Sequence, residues 1–356
     1  MSLKFDRVEK ARIIRSAFAA AARNMTKVVT AGASLLRAFA TLAPAQPMRR
    51  VWRPWQRRAL PAALAGSLLL GACSTLSLGY GQGVNLAYWW LDRYADFNDD
   101  QKPHVRAALQ DWMTWHRSQA LADDVALLEQ AAREVRQDAT PAQVCGWWDK
   151  YTQRRTLYLT QLLPAAGDLA ATLEPRQIEA IQARQASKDA DWRDEHLQPK
   201  PADRFDGEVK RVRERAEMLY GKLDGAQRRF LVERQQGATP WDADRWHAGM
   251  LRDQATLLQA LRAVAGAAPG TPDAAEARKQ LGDTLLRPDA KLDAATRAWR
   301  QQLLTYQCTV GAELHNRTNA EQRETAARNL RGWAQDLRGH VLPAAAARRP
   351  ALTPAS

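Results

Sequence analysis

No stretch of this 356-residue chain is apolar for long enough to cross a bilayer, and cysteine is nearly absent, with three in all. The most apolar run, Ala59 to Leu70, has twelve uncharged residues, against about 20 for a spanning helix. The six histidines, at 104, 116, 196, 247, 315 and 340, never take the His-Glu-x-x-His spacing that sets two metal ligands and a base on one helix face. Gly-x-Ser-x-Gly, a glycine-rich phosphate loop and Cys-x-x-Cys are also missing, which removes the local signatures of a nucleophile elbow, a nucleotide cradle and a dithiol redox centre. No catalytic residue, metal ligand or non-covalent cofactor is therefore assigned, and an enzyme is not expected. Alternating apolar and polar positions of useful length are absent too, which argues against strands.

The formal charge of +13 invites a nucleic-acid reading until the charge is located. Residues 1–72 hold thirteen Lys/Arg and two acids, Asp6 and Glu9; from Cys73 onward 39 basic residues face 37 acidic ones. A body near +2 implies no polyanion partner.

The basic cluster Arg49, Arg50, Arg53, Arg57 and Arg58 precedes the apolar run, which closes on Leu70-Gly71-Ala72-Cys73. A basic segment, a short apolar segment and small residues before a cut describe a secretory signal peptide. With cysteine next, the stretch resembles a bacterial lipobox. That resemblance implies diacylglycerol on the Cys73 thiol, cleavage before it and acylation of the new amine. The signal peptide spans 48–72 if translation starts at Met48, which leaves 1–47 as a spurious extension. Its helical pattern (Ile13, Ile14, Phe18, Leu35, Leu36) keeps a membrane-binding or targeting role open as the alternative. Residues 73–84, with Gly79, Gly81 and Gly83, read as the lipidated cysteine and a flexible tether reaching about 20 Å. An all-helical domain over 85–342 and a disordered Ala/Arg/Pro-rich tail, 343–356, complete the chain.

The helical reading rests on a repeated start signal. Asn98, Thr140, Glu174, Asp224 and Asn319 are each followed three residues later by Gln, at 101, 143, 177, 227 and 322. In a capping box the first side chain accepts from the N3 amide, and the N3 Gln accepts from the cap's own amide. Pro141 and Pro175 sit at N1, where a missing N–H costs nothing. Apolar residues then recur at three and four: Val105, Leu109, Trp112; Leu121, Val125, Leu128, after a break near Ser118; Val144, Trp147, Trp148, Tyr151; Ile178 and Ile181; Val209 and Val212 before a stop at Gly221; Leu257, Leu258, Leu261; Trp299 and Leu303; Leu330, Trp333, Leu337. Ala267 to Pro272 is the clearest loop. The fold class is all-α, an elongated multi-helix bundle of roughly nine or ten helices after a lipoprotein signal peptide.

Export places Cys145 and Cys308 where disulfides persist. Their pairing is expected, with two buried free thiols as the alternative. The candidate interaction surface is aromatic: Trp89 and Trp90 early in the body, then Trp112, Trp115, His116 and Arg117. Tryptophan serves a core as readily as a surface. The run Lys210-Arg211-Val212-Arg213-Glu214-Arg215 reads as a solvated face with local ion pairs, or as a contact for anionic headgroups.

Several residues together resemble an uncharacterised family of proteobacterial lipoproteins, a domain of unknown function. They are Cys73-Ser74, Tyr94 to Phe97 into Gln101, Trp115-His116-Arg117, Cys145, Leu173 to Gln177, Leu223 to Gln227, and Cys308 with Glu313 to Asn316, so that the likeness spans 73 to about 340. A weaker likeness is to Spy-type periplasmic chaperones, whose helices begin Leu-Thr-x-x-Gln. Ser74 in place of Asp after the lipidated cysteine implies delivery to the outer membrane, facing the periplasm. The expected function is non-catalytic: an envelope binding or structural protein, held to the membrane by its lipid, with a protein or lipid partner of the envelope. A periplasmic holdase and, more remotely, a hydrolase using His116 or His315 with carboxylates are the alternatives.

Overall fold

The computed structural model describes residues 75–343, save 198, 199, 238, 269 and 291. The chain divides at Gly81 into two units. Of the first, the described part is one short helix, Thr75–Gly81. The expected glycine tether is thus helical over most of its length, the glycines being too few among Leu and Tyr to unwind it.

From Gln82 onward the described residues form eleven α-helices and no strand. In order they are α1 Gly83–Ala95, α2 Gln101–Trp115, α3 Leu121–Glu134, α4 Pro141–Ala171, α5 Pro175–His196, α6 Pro201–Tyr220, α7 Gly225–Gln236, α8 Ala243–Gly266, α9 Pro272–Leu286, α10 Ala294–Asn316 and α11 Ala320–Arg338. The body is all-α, as its periodicity indicates. Helix α9 is the element beyond expectation. Its buried stripe is only Ala277, Leu281 and Thr284, too small and polar to stand out. The break expected near Ser118 is instead one wide turn, a π-helical segment His116–Ala120 that carries α2 into α3 without a loop.

Four of the five capping glutamines meet in pairs, and these pairs organise the packing. Gln101 Nε2 donates to Gln177 Oε1 (3.1 Å) and Gln177 Nε2 to Gln101 Oε1 (2.7 Å). Gln227 and Gln322 make the same exchange at 2.7 and 2.9 Å. The second N–H of each amide reaches a backbone carbonyl five residues before its partner: Thr172 for Gln101, Asp96 for Gln177, Arg317 for Gln227 and Lys222 for Gln322. Each Oε1 also accepts from its own cap's N–H. All donors and acceptors of four buried amides are thereby satisfied, the condition for keeping them in a core. Asp96 enters the first junction in the left-handed region (φ 49°), and Gly221 precedes the second at φ 77°, where a side chain would be strained.

Around the first junction lie Tyr88, Phe97, Val105, Leu173, Ile178, Ile181 and Leu258. Around the second are Leu223, Phe230, Leu231 and Leu314. A third cluster joins α8 to α9 and α4 through Leu257, Val264, Ala277, Leu281 and Ala170. The most extensive helix pairing is α3 on α11. Ala326, Ala327 and Ala334 on α11 are small enough to let the two backbones approach.

Candidate functional site

Where α2 runs into α3, the widened turn gathers the most concentrated chemistry among the described residues. A π turn carries one residue more than an α turn, so carbonyls lose their usual partners. Three carbonyls at the turn accept from side chains or from a distant amide. Ser118 Oγ donates to Thr114 O (2.8 Å), the Leu342 amide to Arg117 O (2.9 Å) and Arg154 to Ala120 O (2.6 Å). The distortion turns His116 inward, to 7% exposure.

Around it stand Trp112, stacked on the imidazole at 5.1 Å and 14°, and Tyr158 of α4, edge-on at 5.1 Å. Trp115 lies 6.1 Å from Trp112 and 6.5 Å from Tyr158, both rings tilted or edge-on to it. Asp124 closes the group from α3. One carboxylate oxygen lies 3.2 Å from His116 Nε2; the other accepts from the Tyr158 hydroxyl and from Arg154 Nε at 2.8 Å. Trp112 Nε1 donates to the Tyr158 carbonyl, tying α2 to α4.

Electrostatics follow from this enclosure. Burial opposes ionisation of Asp124, but donation from His116 and Tyr158 and the Arg154 charge outweigh it, and the carboxyl is held below its ordinary value. Burial and the adjoining carboxylate push the Tyr158 hydroxyl well above its usual range. Asp124 is thus an anion holding three donors from two neighbouring elements. The arrangement makes a rigid aromatic platform whose outer members, Trp112, Trp115 and Arg117, remain half-exposed.

The sequence-picked surface residues therefore divide. Trp112, Trp115, His116 and Arg117 come together at the turn. Trp89 and Trp90 lie on α1: Trp89 is 56% exposed under the Arg93 guanidinium, and Trp90 packs on Tyr94 at 4.7 Å. Cys145 of α4 and Cys308 of α10 are joined in a disulfide, Cα–Cα 5.4 Å. Cys73, like segments 1–47 and 48–72 and nearly all of the tail, lies outside the described residues.

His315, the other histidine considered for catalysis, sits apart from His116. Its Nε2 faces the Gln137 carbonyl at 2.6 Å, which can only accept, so the proton is on Nε2 and the Tyr220 hydroxyl donates to Nδ1 at 2.9 Å. Burial pushes Tyr220 up to about 12. The basic run on α6 is not a uniformly solvated face. Arg211 is buried, bonded to Glu208 and to the Glu195 carbonyl.

Two features escaped sequence reasoning. Asp124, Arg154 and Tyr158 form half of the turn cluster, and their signals were an acidic first turn of α3 and an i, i+4 Arg–Tyr pair on α4. On α5, Trp192 stacks with His196 (4.3 Å, 4°) and with His247 of α8 (5.3 Å, 7°), and His247 is paired to Asp189. Asp189, Trp192 and His196 fall at i, i+3 and i+7, a face legible only once the partner helix is known. Burial and the Arg211 charge lower the His196 pKa.

Among the described residues no group of three or more His, Cys, Asp or Glu is placed to hold a metal ion. What fold and site define is a class: a strand-free helical domain, tied by a disulfide and by paired capping glutamines, with an aromatic–carboxylate knot at a widened turn. Its family is shown by sequence. Residues 93–270 match the model of DUF6279, a family of unknown function, and the chain belongs to it. That span holds the turn cluster and the whole first junction. Neither the curated proteins nor the solved structures yield a match.

Proposed function

We propose that this DUF6279 chain is a lipoprotein of the bacterial outer membrane, anchored through Cys73 and facing the periplasm, that binds an envelope component rather than catalysing a reaction. The observation that carries the reading is the Cys145–Cys308 disulfide. Such bonds persist in oxidising compartments and are rare in the cytosol, and the lipobox-like Leu70-Gly71-Ala72-Cys73 supplies the route there. No helix among the described residues is long and apolar enough to cross a membrane; in this reading the lipid on Cys73 is the attachment. Binding is favoured over chemistry because His116, Asp124, Arg154 and Tyr158 are bonded to one another, with Arg154 also held by Ala120 and Asp123, while Trp112 and Trp115 keep part of their rings toward solvent.

The intact, non-reduced mass of the protein extracted from native membranes tests this. The expected species begins at a triacylated Cys73 and is two hydrogens light. A mass that retains residues 1–72 without lipid overturns the anchor and the compartment together.

One observation favours a holdase as the second reading. Helix α4 leaves Tyr151 and Leu157 exposed, with Trp147 and Trp148 half-buried on the same helix. The mature protein then suppresses aggregation of an unfolded client near one-to-one stoichiometry, and no suppression at a tenfold excess removes it.

A further inference from the structure

We infer that the outer face of α1 rests on the surface of an anionic phospholipid bilayer, so that the domain is held at a set orientation rather than swinging on its anchor. The inference rests on the anchored-lipoprotein reading, since it takes Cys73 as the membrane attachment.

Helix α1 buries one side. Tyr88 and Ala95 enter the first core cluster, with Leu91 packed against it, and the Arg106 guanidinium of α2 sits 3.5 Å over the Tyr88 ring. The opposite side carries Gln82 and Asn85, joined by a hydrogen bond, then Leu86 at 43% exposure, Trp89 at 56%, and Arg93. Leu86, Trp89 and Arg93 fall at i, i+3 and i+7, one stripe of the helix. A large aliphatic and an indole left in water together are costly, at about 25 cal/mol per Å² of apolar surface.

Three observations point to a bilayer as the cover. The first is position: Leu86 follows Cys73 by thirteen residues, at most about 45 Å of fully extended chain, and the helix Thr75–Gly81 shortens that reach. The second is chemistry. Tryptophan is enriched at headgroup depth, where its ring is shielded and its N–H finds an acceptor; the Trp89 indole has no hydrogen-bond partner among the described residues. The third is charge. The Arg93 guanidinium lies 4.8 Å from the Trp89 ring centroid, which presents a cation beside the indole, at the depth where lipid phosphates lie. Asp92, the acid on this helix that would oppose such contact, turns back to accept the Phe97 amide.

The test uses the acylated protein reconstituted into phosphatidylethanolamine/phosphatidylglycerol vesicles. With Cys73 acylated and Cys145 bonded to Cys308, one introduced cysteine is the sole free thiol. Leu86→Cys and, as a control on exposed α4, Leu157→Cys each receive an environment-sensitive dye, and quenching by a headgroup-spin-labelled lipid is compared. Asn85→Cys repeats the measurement should Leu86→Cys fold poorly by circular dichroism.

At least twofold greater quenching at 86 (or 85) than at 157 is expected, falling to the control level when Trp89→Ser is added. Equal quenching at the two sites, with the acyl mass present on Cys73, overturns the docked face and leaves the anchor intact. Absence of the acyl mass overturns the anchor. The docked face then survives only if position 86 is still preferentially quenched by added vesicles, and falls if it is not.

Discussion

The two glutamine junctions share the amide–amide exchange, the upstream carbonyls and the cap N–H bonds, yet they sit in different surroundings. At the first, the residues four before each glutamine are Phe97 and Leu173, and the neighbouring cap side chains join, Asn98 Nδ2 donating to Glu174 Oε1 at 2.9 Å. At the second those positions are Leu223 and Thr318, and Thr318 Oγ1 donates to the His315 carbonyl at 2.6 Å. What is common is what the backbone demands: a cap N–H to be accepted and a carbonyl five residues upstream of the partner to be bonded. What differs is what fills the space beside it. Glutamine meets both demands with one amide, whereas the adjoining residue need only pack.

Breaking the tie between the halves that hold these junctions should have the largest effect. The disulfide joins α4, in the half of the first junction, to α10, which leads into the second, across 163 residues. Loop-closure entropy for a ring of that size gives an upper figure of about 5 kcal/mol. Cys145→Ala with Cys308→Ala is expected to lower unfolding stability by about 3–5 kcal/mol in urea titrations. Loss of a single cooperative transition would show that the halves depend on this bond to unfold together.

The junctions themselves come next. Gln177 is fully buried, at 0% exposure, and Gln177→Leu removes the partner of the buried Gln101 amide and of the part-buried Asp96 carbonyl and Glu174 N–H. At about 1–3 kcal/mol per orphaned group, partly relieved by relaxation, about 3 kcal/mol is expected. Gln322→Leu, with some solvent at hand, should cost about 2 kcal/mol. Adding Gln101→Leu to Gln177→Leu should cost less than Gln101→Leu alone, because the amide–amide bonds are already gone. Strict additivity would mean that the paired amides do not act as a unit.

A smaller effect, with a distinctive pH signature, is expected at the widened turn, within the first half. The folded pKa of Asp124 lies below its unfolded value of about 3.9, so its contribution is complete above that unfolded value and is lost as pH falls below it through the folded pKa. Asp124→Asn should therefore cost about 1–2 kcal/mol at pH 7, where Arg154 and His116 lose an anion. The variant should also lose less stability than the parent between pH 5 and pH 3. Parallel pH profiles for the two proteins would show that another carboxylate carries the acid sensitivity.

Much of this architecture could be read from local chemistry, because a capping box lies within four residues and a helix stripe within ten. Pairing could not. Thr140–Gln143 makes a complete box, yet Gln143 is exposed and meets no second glutamine. The difference lies one residue earlier: Ala139 precedes that cap, whereas Phe97, Leu173, Leu223 and Thr318, all buried, precede the four that pair. A buried residue before the cap turns the helix start into the core, and that is the signal a sequence reading can use. The turn cluster was half legible. Trp112, Trp115 and His116 are close in sequence, but Asp124, Arg154 and Tyr158 reach them across two helices. Helix α9 was hidden by a buried stripe of alanine, leucine and threonine.

The finest contrast concerns what props up the second junction. His315 lies seven residues before Gln322 and links its approach to two other segments, through Tyr220 at the end of α6 and the Gln137 carbonyl after α3. At the first junction Phe97, Leu173, Ile178 and Ile181 pack around the glutamines. Tyr220→Phe keeps the ring and removes the O–H that donates to His315 Nδ1, leaving a buried acceptor unpaired at a cost of about 1 kcal/mol. Because the side chain is otherwise unchanged, the loss should appear as faster amide exchange confined to the start of α11 and the end of α6, with α2 and α5 unaffected. Exchange rising equally at both junctions would mean that they are coupled through the whole domain, and that the local props matter less than the shared frame.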